Sequence, residues 1–171
     1  MLAAALAVSV SLAIVSCTKE SPPPASPGSS PGSAPTAQKP PAPAAEPDYV
    51  KVQHVLIGFK DAVGFRGRPM PPKAGGRTQE QAKTLAEEVF ARAKKGEDFA
   101  TLVSQYSDDG APGTYTMSNH GKTPPPGGYP RAGMAAAFGD VGFPLPVGGI
   151  GMSSYDMSKS PFGWHIIKRL E

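Results

Sequence analysis

The chain has 171 residues, a formal net charge of +3 and only 18% charged side chains. Its basic residues are scattered rather than massed, which argues against a nucleic-acid partner. A single cysteine, Cys17, excludes an intrachain disulfide, and 20 glycines with 21 clustered prolines divide the chain into a fold and a tether.

Residues 1–16, "MLAAALAVSVSLAIVS", contain no charged side chain. The run is short of the roughly 20 apolar residues a membrane-spanning helix needs, and it suits the apolar region of a secretory signal peptide. Its end, Ile14-Val15-Ser16-Cys17, resembles the lipobox of bacterial lipoproteins, in which small residues admit the signal peptidase and the cysteine is acylated. The resemblance implies lipidation at Cys17 and an extracytoplasmic protein anchored to a bacterial membrane, periplasm-facing in a Gram-negative cell. Residues 17–47 follow, and from Ser21 onward they are almost wholly Pro, Ala, Ser and Gly. With no large apolar side chain to offset the entropy of ordering, this segment is expected to be disordered. Its prolines keep it extended, at about 3 Å per residue where polyproline II persists. We read it as a tether.

The folded part is residues 48–171. Tyr49–Phe59, "YVKVQHVLIGF", reads as a strand with one histidine, His54, among β-formers. Residues 58–76 form a Gly/Pro/Arg loop. In Arg77–Lys95 the period changes: Ala82, Leu85, Ala86, Val89, Phe90 and Ala93 fall on one helical stripe. Thr78 and Gln81 have capping-box spacing, and Gly96 ends the helix. "EDFATLVSQYS" predicts a second, short helix burying Phe99, Leu102, Val103 and Tyr106. Residues 110–129 are loop-like with a brief strand near Thr114–Met117, and "RAGMAAAFGD" suits a short helix. A weak strand is expected near Ile150–Ser154. The terminal strand, Gly163–Leu170, carries the second unexpected histidine, His165. Both His-bearing strands are apolar on alternate faces, as interior strands covered on both sides would be. An α+β domain with a small sheet and several short helices follows.

"HVLI", then "KKGEDFATLVSQYSDD", "MAAAF", "VGF.L.VG" and "SPFGWHIIK", in that order, resemble the parvulin family of peptidyl-prolyl cis/trans isomerases over nearly all of residues 48–171. The resemblance implies a parvulin-like (FKBP-like) four-stranded antiparallel sheet surrounded by short helices, with the first and last strands adjacent at its centre. His54 and His165 would then be neighbours under a substrate cleft, a buried pair sharing hydrogen bonds as neutral rings. By motif position Met134 and Phe138 line a slot for the proline ring, with Tyr129 at its edge. From periodicity alone, ordinary core packing on one helix face is the favoured reading of Met134 and Phe138; the ordered motifs reverse that preference. Asp109 falls where the family places Cys or Asp facing the isomerising amide; its plainer reading is a solvated carboxylate opening a loop. Ser160 lies near a position where the family often has a hydroxyl bonded to the histidines. The family's Gly-Gly-Asp-Leu-Gly segment is missing, and the longer "TYTMSNHGKTPPPGGY" puts Pro126 where a slot-lining Leu is common. Lys60, Arg66, Arg68, Lys73 and Arg77 resemble the basic loop with which some parvulins select phosphorylated substrates; a solvated loop gripping substrate is the plainer reading.

Rotation about an X–Pro bond breaks no covalent bond, so no nucleophile, metal or cofactor is called for. The barrier is about 18–20 kcal/mol, and each tenfold acceleration needs roughly 1.4 kcal/mol of preference for the twisted amide. The expected activity is therefore non-covalent prolyl isomerisation in unfolded or exported polypeptides, by a monomer. Two alternatives stay open: a parvulin-shaped holdase that binds without isomerising, and a metal site built from His54, His120, His165 and an Asp, whose spacing matches no familiar ligand pattern.

Overall fold

The computed structural model describes residues 45–171; the expected signal segment, Cys17 and the tether up to residue 44 lie outside the described residues. Strand β1 spans Tyr49–Gly58 and begins the sheet. After a 3-10 turn at Val63–Phe65 and the four-residue helix α1, Pro72–Gly75, comes helix α2, Gln79–Lys94. Helix α3 is Phe99–Tyr106, strand β2 Thr114–Ser118 and strand β3 Tyr129–Pro130. A 3-10 turn at Arg131–Gly133, helix α4 at Ala136–Gly142, and strands β4, Ile150–Ser153, and β5, Gly163–Arg169, complete the chain.

The order across the sheet is β3-β2-β1-β5-β4. The first and last strands are thus the central pair, antiparallel, with His54 opposite Ile167 and Leu56 opposite His165. The expected four-stranded antiparallel sheet is corrected in one respect: a fifth, two-residue strand, β3, runs parallel to β2. Pro130 lacks an N–H, which confines it to a sheet edge, and the 119–128 excursion brings the chain back in the same direction it left.

Helices cover both faces. On one, α2 and α3 pack on Val55, Ile57, Trp164 and Ile166. The stripe on α2 presents the buried Ala82, Ala86, Val89 and Ala93, whose small side chains let the helix lie close to the sheet. On the other face, Phe138 and Phe143 meet Val50, Val52, Met117 and Ile167. A one-residue slip of β1 would exchange these two apolar sets, so burial on both faces fixes the register that places the histidines. Gly163 begins β5 with φ +147°, and a Cβ there would lie 2.1 Å from the Ile57 carbonyl oxygen. Only glycine fits, which is the physical reason for it in the "FGWHII" run.

The local signals act as expected. Thr78 Oγ1 accepts the Gln81 N–H while Gln81 Oε1 accepts the Thr78 N–H, a complete capping box. Gly96, at φ +91°, lets the chain turn away after α2. "RAGMAAAFGD" is not one helix: Met134 is extended between the 3-10 turn and α4. The helix instead starts at Ala136 and runs through Val141 and Gly142. The two ends of the described unit meet. Lys51 N–H bonds the Glu171 carbonyl at 3.2 Å, Leu170 N–H bonds the Lys51 carbonyl at 2.7 Å, and Lys51 Nζ reaches the Glu171 carboxylate at 2.9 Å.

Candidate active site

His54 and His165 lie on one face of the central strand pair, and their rings stack 14° from parallel with centroids 5.4 Å apart. Both are buried, and Nδ1 faces Nδ1 at 3.2 Å. On its other side, His54 Nε2 meets Asp109 Oδ2 at 3.0 Å. A carboxylate only accepts, so His54 carries its proton on Nε2. His54 Nδ1 is then the acceptor, and His165 Nδ1–H donates to it. The proton positions run one way, from His165 through His54 to Asp109.

The turn carrying Asp109 is stitched to β1 beside His54. Ser107 Oγ accepts the backbone N–H of Leu56 at 3.1 Å and of Asp109 at 3.2 Å, and Asp108 N–H bonds the Leu56 carbonyl at 2.8 Å. Asp109 Oδ2 also accepts the Tyr115 hydroxyl at 2.7 Å, and Oδ1 the Gly110 N–H at 2.9 Å. The hydrogen bond from His54, with those from Tyr115 and Gly110, holds the carboxyl well below its usual range against the opposing effect of burial. Asp109 is accordingly ionised and partly open to the cleft.

Above this floor is a cleft of about 650 Å³. Phe138 stands edge-on to both imidazoles, with centroids 4.9 Å from His54 and 5.5 Å from His165. Met134, Tyr129 and Tyr115 complete an apolar recess around it. Tyr129 is 46% exposed and forms its rim. The far wall is built from the 58–76 loop and the approach to β5. There Phe65 meets Phe162 edge-on at 5.4 Å, and the Arg68 guanidinium lies 5.6 Å over the Phe162 ring.

Of the residues expected from the sequence, His54, His165, Asp109, Tyr129, Met134 and Phe138 all border this one cleft. Ser160 does not join the histidine bonds. Its hydroxyl is buried and donates to the Gly163 carbonyl at 2.7 Å, stitching the turn into β5. Pro126 is exposed and does not line the cleft; Tyr115 occupies the wall instead. Tyr115 and the Phe65–Phe162 pair were missed. The alternation in "GTYTMS" was the available signal, since a strand beside β1 puts Tyr115 and Met117 on one face. Nor do the five basic residues act together: Arg77 forms a bidentate pair with Asp108 at 2.6 and 3.0 Å, and Lys73 Nζ donates to the Gln105 carbonyl at 2.7 Å. His120 is exposed in the loop after β2, and no cluster of three or more His, Cys, Asp or Glu poised for a metal ion occurs among the described residues.

A model of the PPIC-type PPIase domain matches residues 39–171. The chain belongs to that family. It is similar to the foldase protein PrsA of Caldanaerobacter subterraneus subsp. tengcongensis, at 37% identity over 83 residues, 48% of this chain and 24% of that protein. It is also similar to the chaperone SurA of Hahella chejuensis, at 32% identity over 122 residues, 69% of this chain and 21% of that protein. The chain therefore spans about a quarter of the length of these relatives. The solution structure of TbPIN1 shares the fold, with a TM-score of 0.52 and 24% identity over 72% of this chain and 98% of that one.

The buried pair carries a pH prediction. Burial, and secondarily the neighbouring His54, push the His165 imidazole from its ordinary 6.5 down to about 3. The unfolded imidazole binds a proton below its ordinary value while the folded one stays neutral, so the unfolded state gains protons first and stability falls with pH. Urea titrations should therefore show stability declining from about pH 6.5 downward, at up to about 1.4 kcal/mol per pH unit for that proton. His165→Phe should flatten that limb; a wild-type profile flat between pH 6.5 and 4 would contradict the buried neutral ring.

Proposed function

We propose that the chain catalyses cis/trans isomerisation of X–Pro bonds in unfolded, exported polypeptides, without covalent chemistry. The observation that carries this reading is the apolar recess of Met134, Phe138 and Tyr129 in the same cleft as an ionised, immobilised Asp109. The recess takes the pyrrolidine ring, whose transfer from water is favourable at about 25 cal/mol per Å² of apolar area buried. The imide carbonyl, partly negative while the amide is planar, then lies near a fixed negative charge. Twisting the bond suspends the resonance that puts charge on that oxygen, so Asp109 penalises the planar state more than the twisted one. His54 and His165 transfer no proton in this scheme; they hold Asp109 and support the sheet under the recess.

Family membership and the likeness to proteins named foldase and chaperone support this reading of the substrate as unfolded chain. The lipobox-like run ending at Cys17 supports export and lipid anchoring, with residues 17–47 as the tether; in this proposal the protein acts as a monomer. The deciding experiment is refolding of a proline-limited substrate protein with the full chain. Acceleration that is lost on His54→Ala supports the isomerase. Suppression of aggregation without acceleration, unchanged by His54→Ala, would replace it with a holdase.

A further inference from the structure

Tyr115 stands where the polar floor and the apolar recess meet. The β1–β2 register puts it opposite Val52, two residues along the same face from His54. Its ring meets His54 edge-on at 5.3 Å, Phe138 at 5.8 Å and Tyr129 at 5.5 Å. Its hydroxyl ends on Asp109 Oδ2, the oxygen that His54 also holds. Tyr115 is thus in contact with both walls of the site, the part that grips the ring and the part that carries charge. Burial, reinforced by the bond to Asp109, raises the phenol above its ordinary value, so it remains a donor throughout the working pH range.

A carboxylate with one anchoring donor can still rotate about its side-chain bonds. Two donors on Oδ2 and the Gly110 N–H on Oδ1 leave it a single orientation. We infer that Tyr115 is a positioning residue for the isomerase: its hydroxyl aims the Asp109 carboxylate at the imide, while its ring forms part of the recess wall. This rests on the isomerase reading of the cleft. The groups that face Asp109 are His54 from β1, with His165 behind it on β5, and Tyr115 from β2, itself beside Tyr129. Asp108 precedes it in the turn, already paired with Arg77, and Arg68 lies on the cleft wall. Removing the phenol hydroxyl alters only one of these neighbours.

The test uses the full chain and compares Tyr115→Phe with Tyr115→Leu. Tyr115→Phe keeps the ring and should lower kcat about tenfold, equivalent to about 1.4 kcal/mol, with KM changed less than about twofold. Its acid limb in the kcat/KM profile should move to higher pH, because a carboxylate with one donor fewer takes its proton more readily. Tyr115→Leu should raise KM as well, through loss of the recess wall. In an Asp109→Asn background, Tyr115→Phe should cost nothing further, as a residue acting through Asp109 must. An unshifted pH profile with unchanged kcat, or losses that simply add in the double variant, would overturn the inference. Carbon-13 titration of the Asp109 carboxyl needs no turnover. If the wild-type chain fails to isomerise, the proposed function falls, and this titration still decides whether Tyr115 holds Asp109: a midpoint raised by Tyr115→Phe supports it and an unmoved one refutes it.

Discussion

Phe138→Ala is expected to abolish most of the isomerase activity and to cost about 3–5 kcal/mol of stability, the range for deleting a buried phenyl. The side chain is 1% exposed and is packed on both imidazoles and Tyr115. Its removal hollows the core on that face of the sheet and takes away the floor against which a proline ring would rest. The recess that Phe138 shapes would be hollowed or would collapse, and the expected loss is at least tenfold in kcat/KM, about 1.4 kcal/mol. Phe138→Leu separates the two effects, since it keeps most of the volume: stability should largely return, while activity recovers only in part. Urea unfolding and a proline-limited refolding assay give both numbers. Activity within threefold of wild type for folded Phe138→Ala would remove the recess from the mechanism.

Arg77→Ala should be the most damaging change outside the cleft, destabilising by about 3–5 kcal/mol, as loss of one partner of a buried ion pair does. The Asp108 side chain is fully buried and Arg77 is 14% exposed. Beyond the bidentate pair, Arg77 donates to the Gly58 carbonyl at 2.9 Å and Asp108 Oδ2 accepts the Gly58 N–H at 2.7 Å. Three chain segments converge here: the end of β1, the approach to α2 and the turn bearing Asp109. Without Arg77 a carboxylate stays buried with a single backbone donor, and the adjacent Asp109 loses its footing. Activity should therefore fall along with stability. Replacing both partners with apolar residues, Arg77→Met with Asp108→Leu, should be milder than Arg77→Ala alone. A loss below about 1 kcal/mol for Arg77→Ala, the level of an exposed pair, would show that the pair is not load-bound to the fold.

What could be read from the chain divides along a physical line. Helix α2 was legible because its apolar stripe, its Thr78–Gln81 cap and its Gly96 stop all agree within one local segment. The central strands were legible because apolar residues on both faces leave a strand no exposed side. His54 and His165 were located through ordered motifs, whereas their bond through Nδ1 depends on a diagonal across the β1–β5 register that spacing does not reveal. Ser160 was misassigned for the same kind of reason: which acceptor a hydroxyl meets is settled by the turn before β5, where the Gly163 carbonyl lies closer to hand. Arg77 looked like one cation of a basic loop because its partner, Asp108, is 31 residues away. Tyr115 was hidden although its strand was expected near Thr114–Met117, because which face of so short a strand meets the cleft is settled by its pairing with β1, far away in sequence.

The meeting of Lys51 with Leu170 and Glu171 has an architectural consequence. A unit whose entrance and exit share one doorway can be spliced into a longer polypeptide as a side loop, leaving the flanking segments almost as close as they were without it. Such an arrangement leaves the spacing of a surrounding framework nearly unchanged whether the module is present or not.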